Sequence, residues 1–270
     1  MKDIQTRLPE LLKEAEKAAK KAGQFIREEF GKISAHQAEV KSLNSLVSYV
    51  DIGAERLIVD ALKPVIPEAG FITEEKTTPN SNKHFNWVID PLDGTTNFLK
   101  GIPVFSVSIA LTAGGDVVVG VVYDIMQNWC FTSYKGGGAA LNGKSIQVSR
   151  EYDFKKAVIA TGFPYERLDI KTNSDIFFLL QSIIEKSSGI RRLGSAALDL
   201  AYVACGKVEG YYEASLNSWD LAAGILLVQE AGGITTDFDD SSNMLASGRV
   251  VAANPKIHDV LQATIRECLS

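Results

Sequence analysis

Trp87-Val88-Ile89-Asp90-Pro91-Leu92-Asp93-Gly94-Thr95-Thr96-Asn97-Phe98 is the stretch on which the reading of this chain turns. Trp87 to Ile89 read as a short buried strand that delivers Asp90 just past its C-terminal end. Pro91 stiffens the turn and Gly94 frees it, so the carboxylates of Asp90 and Asp93 can fold towards one point. Mg²⁺ takes hard oxygen ligands, typically a few carboxylates together with substrate phosphate, and this turn offers two acids and the Leu92 carbonyl. By itself a D-x-x-D-G spacing is more often a turn whose Asp side chains cap backbone amides. The extension through Thr95, Thr96 and Asn97 changes the balance, because a glycine followed by small hydroxyl residues can open a helix whose free N–H groups bind an anion.

Acids on either side extend this picture. Phe71-Ile72 reads as another short strand, with Glu74 and Glu75 just past its end; a Glu-Glu pair is most often a solvated turn, but here it can complete a ligand set. Downstream, Asp220 occupies the first turn of a predicted helix that begins Ser218-Trp219-Asp220-Leu221-Ala222-Ala223-Gly224. It is either a charge favoured by the helix dipole or, with small residues behind it allowing close packing, an acid aimed inward. Both readings stand at this point. Two-metal hydrolysis requires metal ligands beside a phosphate cradle: one ion activates a water and the other steadies the leaving oxygen.

The remaining pattern is mixed α/β. Ile4, Leu8, Leu11, Ala15, Ala18, Ala22, Phe25 and Ile26 recur at helical spacing before Gly31, and a second helix is expected over 50–65, ended by Pro64 and Pro67. Runs at 104–112, 117–123 and 129–133, separated by turn residues, predict an antiparallel meander. Further on, helices are expected at 174–186, 195–205, 218–231 and 255–268, and strands at 210–214, 234–236 and 250–253, with Gly232-Gly233 ending the third helix. The polar stretch 150–155 is the one candidate boundary, giving a single domain over 1–270 with lobes of about 1–150 and 151–270.

Composition excludes several classes. The chain has 270 residues, 46% hydrophobic and 23% charged, enough for a sizeable core without staples. A net charge of −5 supplies no basic field for nucleic acid, so no nucleic-acid partner is expected. Cys130, Cys205 and Cys268 form no C-x-x-C pattern and read as reduced structural thiols. The charged N-terminus is unlike a signal peptide and no apolar run approaches a membrane span, so a cytoplasmic protein with no membrane association is expected. Gly136-Gly137-Gly138 lacks the G-K-[ST] of a phosphate loop and reads as a hairpin turn. His36, His84 and His258 are scattered, with no triad or metal spacing. Arg191 and Arg192 read as surface or subunit-contact residues.

The segment Trp87 to Phe98, preceded by Glu74-Glu75 and followed by Ser218 to Gly224, resembles the inositol monophosphatase family, within the Mg²⁺-dependent, lithium-sensitive phosphatase superfamily. The likeness covers essentially the whole chain. It implies an α/β fold, the layered αβαβα sandwich of sugar phosphatases, and a homodimer. It further implies one metal site from Glu74, Asp90 and the Leu92 carbonyl, and a second from Asp90, Asp93 and Asp220. Thr95 resembles the family's water-orienting hydroxyl, and Asp51 the carboxylate that hydrogen-bonds it, so Glu74, Thr95 and Asp51 are the catalytic set. Asp93 and the amides of Gly94 and Thr95 hold the phosphate, while Gly194, Ser195, Ala196, Glu213 and Asp220 meet the polyol. Lys41 aligns with a family lysine near the metal water or is a solvated strand residue, and Lys76 stands where relatives often have Ser or Thr.

The four acids carry four negative charges and a phosphate dianion two more, which three Mg²⁺ ions balance. The resemblance therefore implies hydrolysis of a small polyol phosphate by metal-activated water, with inositol monophosphate the leading substrate. Fructose 1,6-bisphosphate and 3'-phosphoadenosine 5'-phosphate are the alternatives within the superfamily. Glu213 favours inositol hydroxyls, and Asp93 to Phe98 differs from the DGTKEF-like form of the nucleotide branch. The rival from another class is a non-catalytic regulator that uses the fold as an interaction surface.

Overall fold

The structure, a computed structural model, describes residues 2–32, 39–42, 45–47, 49–81, 83–163 and 174–269. His36 and the side chain of Lys41 lie outside the described residues. Helix α1 (Lys2–Glu29) buries Leu8, Leu11, Ala15, Ala22 and Ile26 along one stripe, and Gly31, at φ 82°, turns the chain after it. A short antiparallel pair, β1 (Glu39–Ser42) and β2 (Ser45–Val47), follows. Helix α2 (Tyr49–Leu62) stops short of the expected 65, because the residue before Pro64 is sterically pushed out of the helical region.

Strand β3 (Gly70–Thr73) runs parallel to β4 (Phe85–Asp93), and a short helix α3 (Thr95–Leu99) follows β4. The expected meander is then formed by β5 (Ser106–Ala113), β6 (Asp116–Asp124) and β7 (Trp129–Tyr134), and continues through β8 (Ala139–Leu141) and β9 (Lys144–Ile146). These strands, β3 to β9, make one seven-stranded sheet in chain order. The glycines at 136–138 form the hairpin turn between β7 and β8, where Glu230 accepts hydrogen bonds from the amides of Gly136 and Gly138.

The second sheet comes from β10 (Val158–Thr161), β11 (Gly189–Arg191), β12 (Gly210–Glu213), β13 (Ile234–Thr236) and β14 (Val250–Ala253), in the order β11-β10-β12-β14-β13. Its helices are α4 (Ser174–Lys186), α5 (Ala196–Ala204), α6 (Ser218–Glu230), the single turn α7 (Met244–Ser247) and α8 (Pro255–Leu269). Strands β10 and β11 escaped the sequence reading: at four and three residues, neither is long enough for alternation to register.

Side-chain alternation sorts the layers. On β4, Trp87 and Ile89 face α1 and α2, while Val88 faces the other way, into a core shared with α5 and α6. That middle core also takes Tyr211, Val250 and Ala252 from the second sheet. On the far side of that sheet, Leu179 of α4 and Ile257, Leu261 and Ile265 of α8 cover Ile159, Tyr212 and Val251. The result is the αβαβα sandwich that the resemblance implied.

Helix α6 lies between the sheets with little clearance. A Cβ added to Gly120 of β6 would sit 2.8 Å from the Ala223 carbonyl oxygen, and one on Gly224 would sit 2.5 Å from Leu200 of α5. The small residues at the start of α6 thus permit the approach that places Asp220 against the end of β4. Gly120→Val should lower stability by about 1–3 kcal/mol, because the obstructing atom is backbone that cannot rotate away. Chemical denaturation measures this as a lower midpoint at unchanged slope.

Candidate active site

The ladder between β4 and β5 pairs Asp90 with Ser108, breaks across Pro91-Leu92, and resumes at Asp93 with Ser106. Pro91 has no N–H to give the ladder, so the break falls where the sequence removes a donor. The Leu92 amide donates to Asp90 Oδ1 at 3.0 Å, which is the amide-capping role that a lone D-x-x-D-G predicts. The capping and clustering readings are therefore both met by one residue. Gly94 follows at φ 97°, and a Cβ there would lie 3.0 Å from the Val104 carbonyl oxygen, so the turn needs a glycine on two counts.

Thr95 opens α3, and its Oγ1 lies 3.1 Å from Asp51 Oδ1 and 3.0 Å from the Leu92 carbonyl oxygen. Asp51 is held in the first turn of α2 at 1% exposure. One turn on, fully buried Glu55 accepts from the Glu75 amide, the Thr77 amide and the Thr77 hydroxyl, each at 2.7 Å. This strap, with the Glu74 amide donating to the Ile89 carbonyl at 3.3 Å, fixes the segment after β3 beside the end of β4. Glu74 lines the cleft, whereas the Glu75 amide is spent on the strap. Glu55 is not among the site residues expected from the sequence, although an acid four residues after Asp51 on the buried face of α2 is a legible sign.

Carboxylate oxygens of Asp90, Asp93 and Asp220 all lie within 4.8 Å of one another. Asp93 Oδ2 accepts from the Ser195 hydroxyl at 2.6 Å and from the Ala197 amide at 2.8 Å, so it caps the N-terminus of α5. Asp220 Oδ2 accepts from the Asn217 amide at 2.6 Å, anchoring it at the start of α6. Burial pushes the Asp90 carboxyl well above the usual range, and the charges of Glu74, Asp93 and Asp220 add to it. Asp93 is pushed up to about 7 by burial and by Asp220, against the hydrogen bonds from Ser195 and Ala197. The donor set fits a hard divalent cation: oxygen ligands only, mutually repelling, partly prepaired with backbone amides that hold their orientation.

One cleft of about 160 Å³ gathers these acids with Gly94, Thr95, Gly194, Ser195, Ala196 and Glu213. Asp51 stands behind Thr95 and does not line it. The Ser195 hydroxyl, expected at the polyol, is engaged with Asp93 and lies 3.2 Å from the Ser106 hydroxyl. Glu213, at the end of β12, is 7% exposed and accepts from the Tyr211 hydroxyl at 2.6 Å. Arg192, exposed as a surface residue was expected to be, also lines the cleft. Gly162, another wall residue not anticipated, leaves the space that the Glu213 carboxylate occupies.

Residues 7–270 match the model of the inositol monophosphatase family. The chain belongs to that family. Among its relatives, the Nus factor SuhB of Escherichia coli strain K12 is 42% identical over 96% of this chain and 97% of its own. The inositol-1-monophosphatase of Mesorhizobium japonicum is 41% identical, covering 94% and 95%. Among solved structures, the extragenic suppressor protein suhB of Bartonella henselae superposes with a TM-score of 0.88 at 38% identity, covering 93% of this chain and 96% of that one. The inositol monophosphatase family is one of phosphatases, and the acidic triad joins the stretch from Trp87 to Phe98 with the stretch from Ser218 to Gly224.

Occupancy by metal should be visible without any turnover. A divalent cation that the triad holds, tested with Mg²⁺ at about a hundredfold above its dissociation constant, should raise the fold's stability by about 2.7 kcal/mol, and Asp90→Asn should abolish most of that gain. Thermal unfolding with and without Mg²⁺ reads both.

Proposed function

We propose that this chain is a Mg²⁺-dependent phosphatase of small polyol phosphates, with inositol monophosphate the first substrate to test. The observation that carries it is the convergence of Asp90 and Asp93 from β4 with Asp220 from α6 beside the Gly94-Thr95 turn. On this reading Glu74, Asp90, the Leu92 carbonyl, Asp93 and Asp220 would hold Mg²⁺. The bound ions would supply charge neutralisation at the phosphate and acidify a coordinated water.

The chain's own groups have definite tasks in this scheme. The Thr95 hydroxyl has one proton and two acceptors behind it, Asp51 Oδ1 and the Leu92 carbonyl oxygen. Its lone pairs are thereby left to accept a hydrogen bond from a water in the cleft, which orients that water towards phosphorus. The Gly94 and Thr95 amides would hold the phosphate oxygens, as the family resemblance implies. Glu213, Gly194 and Ala196 would meet the polyol, with Ser195 acting chiefly on Asp93.

We also propose that residues 1–150 and 151–270 form two lobes of one domain, a reading supported by α6 of the second packing on the sheet of the first. We propose a cytoplasmic place for the enzyme; no described helix is long and apolar enough to cross a membrane. Phe177, Phe178 and Ile184 make an apolar exposed stripe on α4 that a homodimer would cover.

A regulatory reading has one observation in its favour: the E. coli relative is named a Nus factor. Against it stands the full set of acids, which a purely interacting surface has no need to keep buried together. A panel of inositol 1-phosphate, fructose 1,6-bisphosphate and 3'-phosphoadenosine 5'-phosphate, each with and without Mg²⁺, separates the readings. Mg²⁺-dependent phosphate release, fastest from inositol 1-phosphate, is expected; no release from any substrate favours the regulator. Asp90→Asn should abolish turnover, and Thr95→Val should lower kcat by roughly 10²–10⁴ while leaving the fold intact.

A further inference from the structure

Asp93 and Asn97 bracket the Gly94-Thr95 turn, and both reach across the molecule to one segment, 193–197. The scheme above gives Asp93 a task and leaves Asn97 without one. Asn97 lies in α3, is 7% exposed and does not line the cleft. Its Nδ2 donates to the Val104 carbonyl oxygen and to the Leu193 carbonyl oxygen, each at 2.8 Å. Only the NH₂ end of an amide can serve two carbonyls, so these partners settle which way the side chain points and use both of its protons.

The first bond ties Asn97 to the phosphate turn, since the Val104 carbonyl oxygen is also the atom against which Gly94 packs. The second carries that position to the polyol side of the cleft. Leu193 stands between Arg192 and Gly194, both of which line the cleft. Gly194, at φ 86°, comes up against the amide itself: a Cβ there would lie 3.1 Å from Asn97 Nδ2. Ser195 then caps α5 and donates to Asp93, as does the Ala197 amide. The wall made by Gly194, Ser195 and Ala196 is thus hung from an anchor at each end, Asn97 before it and Asp93 after it. Held at one end it could pivot; held at both it keeps a fixed distance from the turn between the anchors.

We propose that Asn97 is a positioning residue for substrate recognition, which sets the separation between the phosphate turn and the polyol wall. A substrate gripped at its phosphate gains from contacts at its alcohol part only when the wall stands at the matching distance. The substrates that depend on Asn97 are therefore phosphate esters whose alcohol part reaches the wall and bears hydroxyls. The inference rests on the polyol phosphatase reading. Of the two anchors, Asn97 is the one that can be removed without touching an acid which that reading gives to the metal.

The test uses Asn97→Asp, which keeps the shape of the side chain and loses both donors, at saturating Mg²⁺ on inositol 1-phosphate and on p-nitrophenyl phosphate, which bears no hydroxyl for the wall. KM for inositol 1-phosphate should rise about tenfold, while KM for p-nitrophenyl phosphate and the inhibition constant of inorganic phosphate each move less than about twofold. Should Asn97→Asp not fold, Asn97→Ala takes its place with the same expectations. Equal losses on both substrates would mean that Asn97 serves only the turn beside it, and would overturn the proposal. So would no change on either substrate, or a loss on inositol 1-phosphate that falls on kcat with KM unmoved. No turnover of inositol 1-phosphate by the unmodified chain would overturn the polyol reading beneath it; turnover there with any of those three outcomes overturns this inference alone.

Discussion

Three carboxylates brought within 4.8 Å of one another in the protein interior are the constraint on which the rest of the site depends. Buried like charges repel and favour protonation, so such a cluster persists only if something else is arranged around it. Here the compensation is partly built in. Asp90 accepts from the Leu92 amide, Asp93 from Ser195 and the amide of Ala197, and Asp220 from the Asn217 amide. Each acid therefore keeps one oxygen occupied by the backbone or a hydroxyl, which fixes its direction. A cation would neutralise what those hydrogen bonds do not.

The architecture can be understood as the means of bringing these acids together from distant parts of the chain. Strand β4 supplies Asp90 and Asp93, and the proline-induced break in its ladder turns both the same way. Helix α6 brings Asp220 only because Gly120 lets a helix backbone approach the sheet. The strap from Glu55 secures the segment carrying Glu74, and helix α5 presents its N-terminus to Asp93. Asp93 both belongs to the acidic cluster and caps α5, so the stability of α5 and the geometry of the cluster are coupled.

Much of this was legible in the sequence. The amphipathic stripe of α1, the meander and the closing helix α8 follow from spacing alone, since long periodic segments declare themselves. The Asp90-to-Phe98 turn was readable because proline, glycine and two acids constrain one another within a few residues. What stayed hidden depends on contacts between distant residues. Nothing local marks Ser195 as the partner of Asp93, 102 positions away, nor Gly162 as the space for Glu213. Arg192 lines the cleft through the path of the chain after β11, a strand too short to register. Glu55 lay within reach, since an acid on the buried face of a helix demands a partner.

On this reading Asp90, Asp93 and Asp220 form a divalent-cation site shared with the phosphate turn. Anomalous diffraction from crystals of the full chain soaked in Mn²⁺, used as a heavier stand-in for Mg²⁺, tests it most directly. Anomalous density is expected between those three carboxylates and should be lost in Asp90→Asn crystals. Density elsewhere, or none at this cluster under conditions where the protein hydrolyses phosphate esters, would contradict it.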